Sequence, residues 1–192
     1  MKTILIINGH PQPGSFSEAI ASTYYLSARE AGAHAELFHL YQLDFDLNLT
    51  KDKKNFNHLE PDIKMMQEKI KQADHLVFVF PVWWGTYPAL LKGFIDRVFL
   101  KGFAYDYPED KLFPIPLLKG KTARVITTLD TPLWYFRLVY HRPVYHAMKK
   151  VFLEFCGIKP VKFTYFSPVR KSTEKQRKKF LKHVSLLGAK MK

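Results

Sequence analysis

Short apolar runs alternate with longer stretches of helical periodicity along the chain. Residues 3–7, TILII, are apolar and mostly β-branched and end at Asn8 and Gly9, the pattern of a strand running into a turn. From Phe16 to Ala31 the spacing becomes helical, with Gly32 behind as a C-cap. AELFHL at 35–40 gives a second strand, and the polar, turn-rich residues 44–60 are expected to form a loop. Pro61 suits the first turn of a helix through Gln72. HLVFVF, which follows, shows no alternation, as expected of a strand covered on both faces. A helix over 88–100 opens at Pro88 and gathers Leu90, Leu91, Phe94, Ile95 and Val98 on one stripe. TARVITT at 122–128 is a fourth strand, 143–155 a fourth helix ended by Gly157, and KPVKFTYF at 159–166 a fifth strand. The last helix begins with capping-box spacing at Thr173 and Gln176 and runs to Leu187, with Gly188 behind it.

Five strands alternating with five helices predict an α/β fold: a doubly wound, five-stranded parallel sheet with helices on both faces. The 192 residues suit one domain over 1–192. Ligands of such sheets bind outside the carboxyl ends of the strands. That rule selects residues 8–17, NGHPQPGSFS; 81–87, PVWWGTY; and 128–142, TLDTPLWYFRLVYHR.

Composition changes the picture in two respects. Cys156 is the single cysteine, which excludes an internal disulfide framework and leads to the expectation of a reducing compartment. The longest apolar run, 76–85, is about half of a bilayer span, and the N-terminal MKTILIINGHP lacks the pattern of a signal peptide, so a cytoplasmic protein is expected. The formal net charge of +13 gathers partly in RKSTEKQRKKFLKH at 170–183 and in the final AKMK. This basic C-terminal helix is either a solvated face or a contact for an anionic surface, nucleic acid being the disfavoured partner. The histidines show no ligand spacing, so no metal is expected.

In the first loop Gly9 and Gly14 have phosphate-loop spacing, but Ser15 and Phe16 stand where a nucleotide triphosphatase needs Lys and Ser or Thr. No GxGxxG follows a strand. Ser15 and Ser17 entering a helix can still hold a phosphate through backbone N–H groups and the helix dipole, the plain alternative being a helix cap. In the second loop Trp83 and Trp84 sit side by side on a strand-to-helix turn, where they either plug the sheet edge or meet a flat ligand. Gly85 lets the backbone approach that ligand. A phosphate at one end and a large planar ring at the other describes a flavin.

These residues resemble the flavodoxin-like NAD(P)H:quinone oxidoreductases of the DT-diaphorase type over nearly the full length. The resemblance rests on INGHPQPGSFS, on FPVWWGTYPALLKGFIDRVF, on GFAYDY at 102–107, on ITT at 126–128 and on FCG at 155–157. It implies hydride transfer from NAD(P)H through bound flavin to a quinone or similar acceptor, in alternating, ping-pong order. It further implies that His10, Ser15, Phe16 and Ser17 line the flavin phosphate and that Pro81, Val82, Trp83, Trp84, Gly85 and Thr86 lie along the ring. Thr128, Leu129 and Asp130 fall beside its pyrimidine edge, Tyr105 and Tyr107 cover the pocket of a partner subunit in a homodimer, and Tyr135 and His141 assist the transfer, the alternative being an aromatic lid in which Trp134 or Tyr140 is equally close. Arg124, Arg137 and Arg142 are candidates for a cofactor 2′-phosphate. One departure stands out: Leu129, Asp130, Thr131 and Pro132 occur where the larger members continue into Gly-Gly. Chain length favours FMN, with FAD as the alternative. An electron carrier and a flavin-bearing regulatory partner of a membrane transport system share the same fold and stay open.

Overall fold

The computed structural model describes residues 1–49 and 59–191, so most of the polar stretch 44–60 lies outside it. In chain order the elements are β1 (Thr3–Asn8), α1 (Phe16–Glu30), β2 (His34–His39), a 3₁₀ turn (Leu40–Gln42), α2 (Pro61–Gln72), β3 (His75–Pro81) and α3 (Ala89–Val98). A two-stranded hairpin, β4 (Tyr105–Asp106) and β5 (Ile115–Pro116), comes next, then β6 (Thr122–Thr128), α4 (Leu133–Leu138), α5 (Pro143–Tyr145), a π-helical stretch (His146–Leu153), β7 (Val161–Phe166) and α6 (Glu174–Ala189).

The five long strands form one parallel sheet in the order β2-β1-β3-β6-β7. Alternate residues of each strand point to opposite faces, and both faces are covered. Ile4, Ile6, Val77, Val79 and Ile126 meet α1 and α6 on one side. Leu5, Ile7, Phe78, Phe80 and Val125 belong to the core under the remaining helices on the other. All seven residues of β3 are therefore buried, which is why HLVFVF carries no polar alternation. Truncating Phe78 or Phe80 to Ala removes about 3–5 kcal/mol.

Three elements depart from the sequence reading. The helix expected over 143–155 is α-helical only in its first turn and then winds as a π-helix over His146–Leu153, a rare form that periodicity does not announce. The 128–142 loop contains α4. Gly188 lies inside α6 rather than behind it: a Cβ there would stand 2.6 Å from the Tyr24 carbonyl, so the glycine lets α6 touch the α1 backbone. Among the described residues no helix is long and apolar enough to cross a membrane.

From β1 the chain passes through α1 to β2 on one side of the sheet and returns through α2 to β3 on the other. The crevice generated where these connections diverge lies at the carboxyl ends of β1 and β3, at Asn8 and Pro81.

Candidate functional site

The loop after β1 is fixed by its own polar groups. Asn8, fully buried, reaches His39 Nδ1 at 3.0 Å through Nδ2 and accepts the His10 N–H at 3.2 Å. His10 Nδ1 lies 3.0 Å from the Gln12 carbonyl and 3.1 Å from the Gln12 N–H, so either tautomer ties the ring to Gln12. Ser15 is the N-cap of α1 and accepts the Glu18 N–H at 3.1 Å, while Glu18 reaches back to the Gly14 N–H at 2.8 Å. The plain capping role of Ser15 is thus present, and its hydroxyl proton remains available to a ligand.

The loop after β3 is a tight turn. Trp83 and Thr86 exchange two backbone hydrogen bonds of 2.9 Å, and the residues between them, Trp84 and Gly85, have φ of 49° and 79°. Positive φ at both central positions defines a type I′ turn, which leaves the N–H groups of Trp84 and Gly85 at the tip outside the ladder. A side chain at Gly85 would be strained there and would meet Pro143 at 3.1 Å. Trp84 is fully exposed, so nothing in the described chain covers its ring.

Two adjoining clefts lie over these loops. One, of about 260 Å³, is bounded by His10, Phe16, Ser17, Pro81, Val82, Trp83, Thr128, Leu129 and Asp130, with Val169 and Arg170 from the loop after β7. The other, of about 460 Å³, is bounded by Val82, Trp84, Gly85, Leu129, Thr131, Phe136, Tyr140 and Pro143. Val82 and Leu129 border both, so the clefts form one trough from the amino end of α1 to the aromatic loop after β6. Helix dipole and first-turn amides favour an anion at the first end, and the apolar walls favour a flat ring at the second.

The Leu129–Asp130 departure has a local explanation. The Leu129 N–H is committed to the Phe166 carbonyl at 3.0 Å, and the Asp130 carboxylate accepts the Arg170 N–H at 2.6 Å. This corner therefore ties β6 to the loop after β7.

Tyr135 and His141 are close to the second cleft without bordering it. Tyr135 meets the Tyr140 ring edge to face at 5.0 Å, and His141 follows Tyr140 in the chain with φ 52°. Thr86 closes the type I′ turn. Tyr105 and Tyr107 lie elsewhere, in contact with each other, and Tyr105 also touches Phe155 at 5.2 Å. Arg124 does not reach the site: it is buried four residues before Thr128, about 13 Å along the strand, and donates to Thr164 Oγ1 at 2.7 Å. Lining residues outside the three selected loops are Val169, Arg170 and Pro143, whereas Thr131, Phe136 and Tyr140 belong to the selected 128–142 loop. The strand-end rule applied to the loop after the fifth strand, SPVRKS, would have found the first two.

A doubly wound sheet with a trough at its switch point is the architecture of flavodoxin-like proteins, and a family described as having a flavodoxin-like fold matches residues 2–186. The chain belongs to this family. It is 31% identical over 179 residues to a Haemophilus influenzae protein named uncharacterized NAD(P)H oxidoreductase, covering 91% of this chain and 88% of that one. It is 30% identical to the human ribosyldihydronicotinamide dehydrogenase [quinone], covering 82% of this chain and 78% of that one. Among solved structures it resembles Smu.1420 from Streptococcus mutans, with a TM-score of 0.86 at 33% identity, over 98% and 99% of the two chains. The protein is an oxidoreductase.

Proposed function

We propose that this oxidoreductase is a flavin-dependent NAD(P)H dehydrogenase that delivers electrons to a quinone or similar flat acceptor. The observation that carries the reading is the single trough joining a capped helix N-terminus to the Trp83–Gly85 turn. The residues present fit a flavin: phosphate at Ser15, Phe16, Ser17 and His10, ring along Pro81 to Thr86, and pyrimidine edge toward Thr128, Leu129 and Asp130. We assign FMN, with FAD as the alternative, because the anion end holds one helix terminus. The chemistry a bound flavin supplies is two-electron transfer between NAD(P)H and the acceptor.

The chain's own contribution is to orient and to exclude water. First-turn amides and the Ser15 hydroxyl hold the phosphate, and the tip amides of Trp84 and Gly85 offer hydrogen bonds to ring heteroatoms. Co-substrate and acceptor are both flat and occupy the second cleft in turn, which makes the order ping-pong. For charge and proton balance we assign Tyr135 and His141, Tyr135 packing edge to face on the cleft-lining Tyr140. A neutral phenol stabilises developing negative charge, and an imidazole exchanges a proton near neutral pH. Tyr135→Phe and His141→Gln should slow flavin reduction on the order of tenfold or more at nearly constant flavin affinity. Wild-type rates in both would leave Tyr140 and the Trp83–Gly85 turn as the working groups.

We further propose a homodimer. Trp134, Leu138 and Tyr140 are exposed around the second cleft beside the cations Arg137 and Arg142. Tyr107, Leu112 and Phe113 are exposed in a segment that also carries Asp106, Glu109 and Asp110. A two-fold axis pairing the basic aromatic patch of one copy with the acidic aromatic patch of the other buries both, and Tyr105, Tyr107 and Phe155 then roof the partner's cleft. Cys156 is alone and buried, its thiol pushed up to about 12 by burial, which suits the reducing cytoplasm to which we assign the enzyme.

The deciding experiment is a titration with FMN and FAD followed by turnover with NADH or NADPH and a quinone. Quenching of tryptophan fluorescence at micromolar FMN and quinone-dependent NAD(P)H oxidation are expected. Absence of flavin binding would overturn the reading, and sedimentation at about the 22.5 kDa monomer mass during turnover would overturn the dimer.

A further inference from the structure

We propose that the outer face of α6 docks the protein onto an anionic lipid surface. Lys175, Lys178, Lys179 and Lys182 are spaced i, i+3, i+4 and i+7 and border one shallow groove with Glu174. All four are exposed, and the only ion pair recorded for them among the described residues is Lys178–Glu174 at 2.6 Å. Both members of that pair are open to solvent, so it neutralises little. Leu186, half-exposed, continues the same stripe one turn beyond Lys182 and gives the basic face an apolar end.

The opposite face of the helix is anchored. Phe180, Leu181, Val184 and Leu187 pack into the core beside α1, and Gly188 seats against the Tyr24 carbonyl. A capping box at Thr173 and Gln176 fixes the first turn. The lysines are thus presented in a fixed row, outward from the sheet.

The same helix packs against one wall of the trough without lining it. Arg177, on the inner face, holds its guanidinium 5.7 Å from the Phe16 ring centroid, and Phe16 lines the first cleft. A surface lying on the lysine row is therefore about one helix diameter, roughly 10–12 Å, from the rim of the candidate site. Lipid is favoured over nucleic acid because the stripe carries no aromatic or amide side chain to stack on or read a base. The choice also rests on the quinone-type acceptor proposed above, since a flat apolar acceptor concentrates in bilayers.

Each lysine close to an anionic membrane strengthens binding on the order of fivefold. The test is co-sedimentation of the flavin-loaded full chain with vesicles of 30% phosphatidylserine in phosphatidylcholine, against phosphatidylcholine alone. Expected are binding to the anionic vesicles only, weakening from 50 to 300 mM NaCl, and a loss of about tenfold or more in the variant K175Q/K178Q/K179Q/K182Q. The variant should keep its flavin affinity and its turnover of a water-soluble quinone, and the matching Lys→Arg variant should bind vesicles like the parent. Failure of the parent to bind, equal binding by the Gln variant, or tighter binding to a 20-base-pair duplex than to vesicles would overturn the docking. Turnover without vesicle binding removes the docking alone, whereas vesicle binding without flavin removes the redox reading and leaves the docking standing.

Discussion

The two ends of the same parallel sheet use their polar atoms in opposite ways. At the amino end most are spent on one another, buried His75 Nε2 being an exception. Asp74 accepts the Thr3 N–H at 2.8 Å, Lys121 Nζ donates to the Lys71 and Ala73 carbonyls near the end of α2, and His75 Nδ1 lies 2.7 Å from Thr122 Oγ1. At the carboxyl end, Ser17 faces a cleft, the tip amides of the Trp83–Thr86 turn stay outside the ladder, and Trp84 stands wholly in solvent. Among the described residues, three of the four non-glycine residues with left-handed φ, Trp84, His141 and Arg142, lie at this end. Such conformations cost of order 1–3 kcal/mol each and persist only where the surroundings enforce them. One end ties strands together, and the other keeps hydrogen-bonding capacity and strain for a ligand.

The sharpest way to break this contrast is Gly85→Val. The new side chain must take φ near 79° and press on Pro143, which displaces the tip amides. Flavin affinity should fall on the order of a hundredfold, read by fluorescence titration, while the amino end keeps its contacts. Unchanged affinity would show that the turn is only a plug over the sheet edge.

The contrast also explains what could be read before folding. Strands buried on both faces, such as HLVFVF, announce themselves by lost alternation, and the strand-end rule then located the loops around Ser17 and Trp83. Leu129 and Asp130 were visible as a departure from Gly-Gly, but their role in tying β6 to the loop after β7 depends on partners about 40 residues away. Phe136 and Tyr140 border the cleft, while Tyr135 meets Tyr140 ring to ring. Which face of a six-residue helix turns inward is decided by packing, and ungapped spacing from Thr128 carries no information about it. The π-helix after Tyr145 escaped for a similar reason: Val144, Met148 and Phe152 recur every four residues, which announces a helix but not its widened winding.

A second test acts on the amino end through pH. Burial, with the charges of Lys2, Arg124 and Lys162 adding to it, holds the His75 imidazole far below its ordinary 6.5, at about 3. The unfolded chain then binds more protons than the folded one between these values, so stability is unaffected above pH 6.5 and falls as pH drops through that window. Urea unfolding at pH 5 should show a loss of about 2 kcal/mol relative to pH 7 that is absent from His75→Gln. Flavin affinity should not follow this titration, because His75 lies at the opposite end of β3 from the trough.

A smaller effect is expected from Ser15→Ala, which removes the hydroxyl that caps α1. It should cost about 1 kcal/mol of stability, measured by denaturant midpoint, together with a several-fold loss of FMN affinity. Stability loss with unchanged FMN affinity would reduce Ser15 to a cap and leave phosphate binding to the amides and Ser17.

For anyone wishing to harden this enzyme as a reagent, the Trp83–Thr86 turn sets a trap. Asparagine or glycine suits the left-handed position now held by Trp84, so stability-guided redesign would replace the indole and gain on the order of 1 kcal/mol. The same exchange would strip the most exposed ring from the mouth of the trough. On the proposed flavin site, position 84 is where thermal endurance and working capacity trade against each other, and a variant library screened only for melting temperature would select against the ring proposed to meet the ligand.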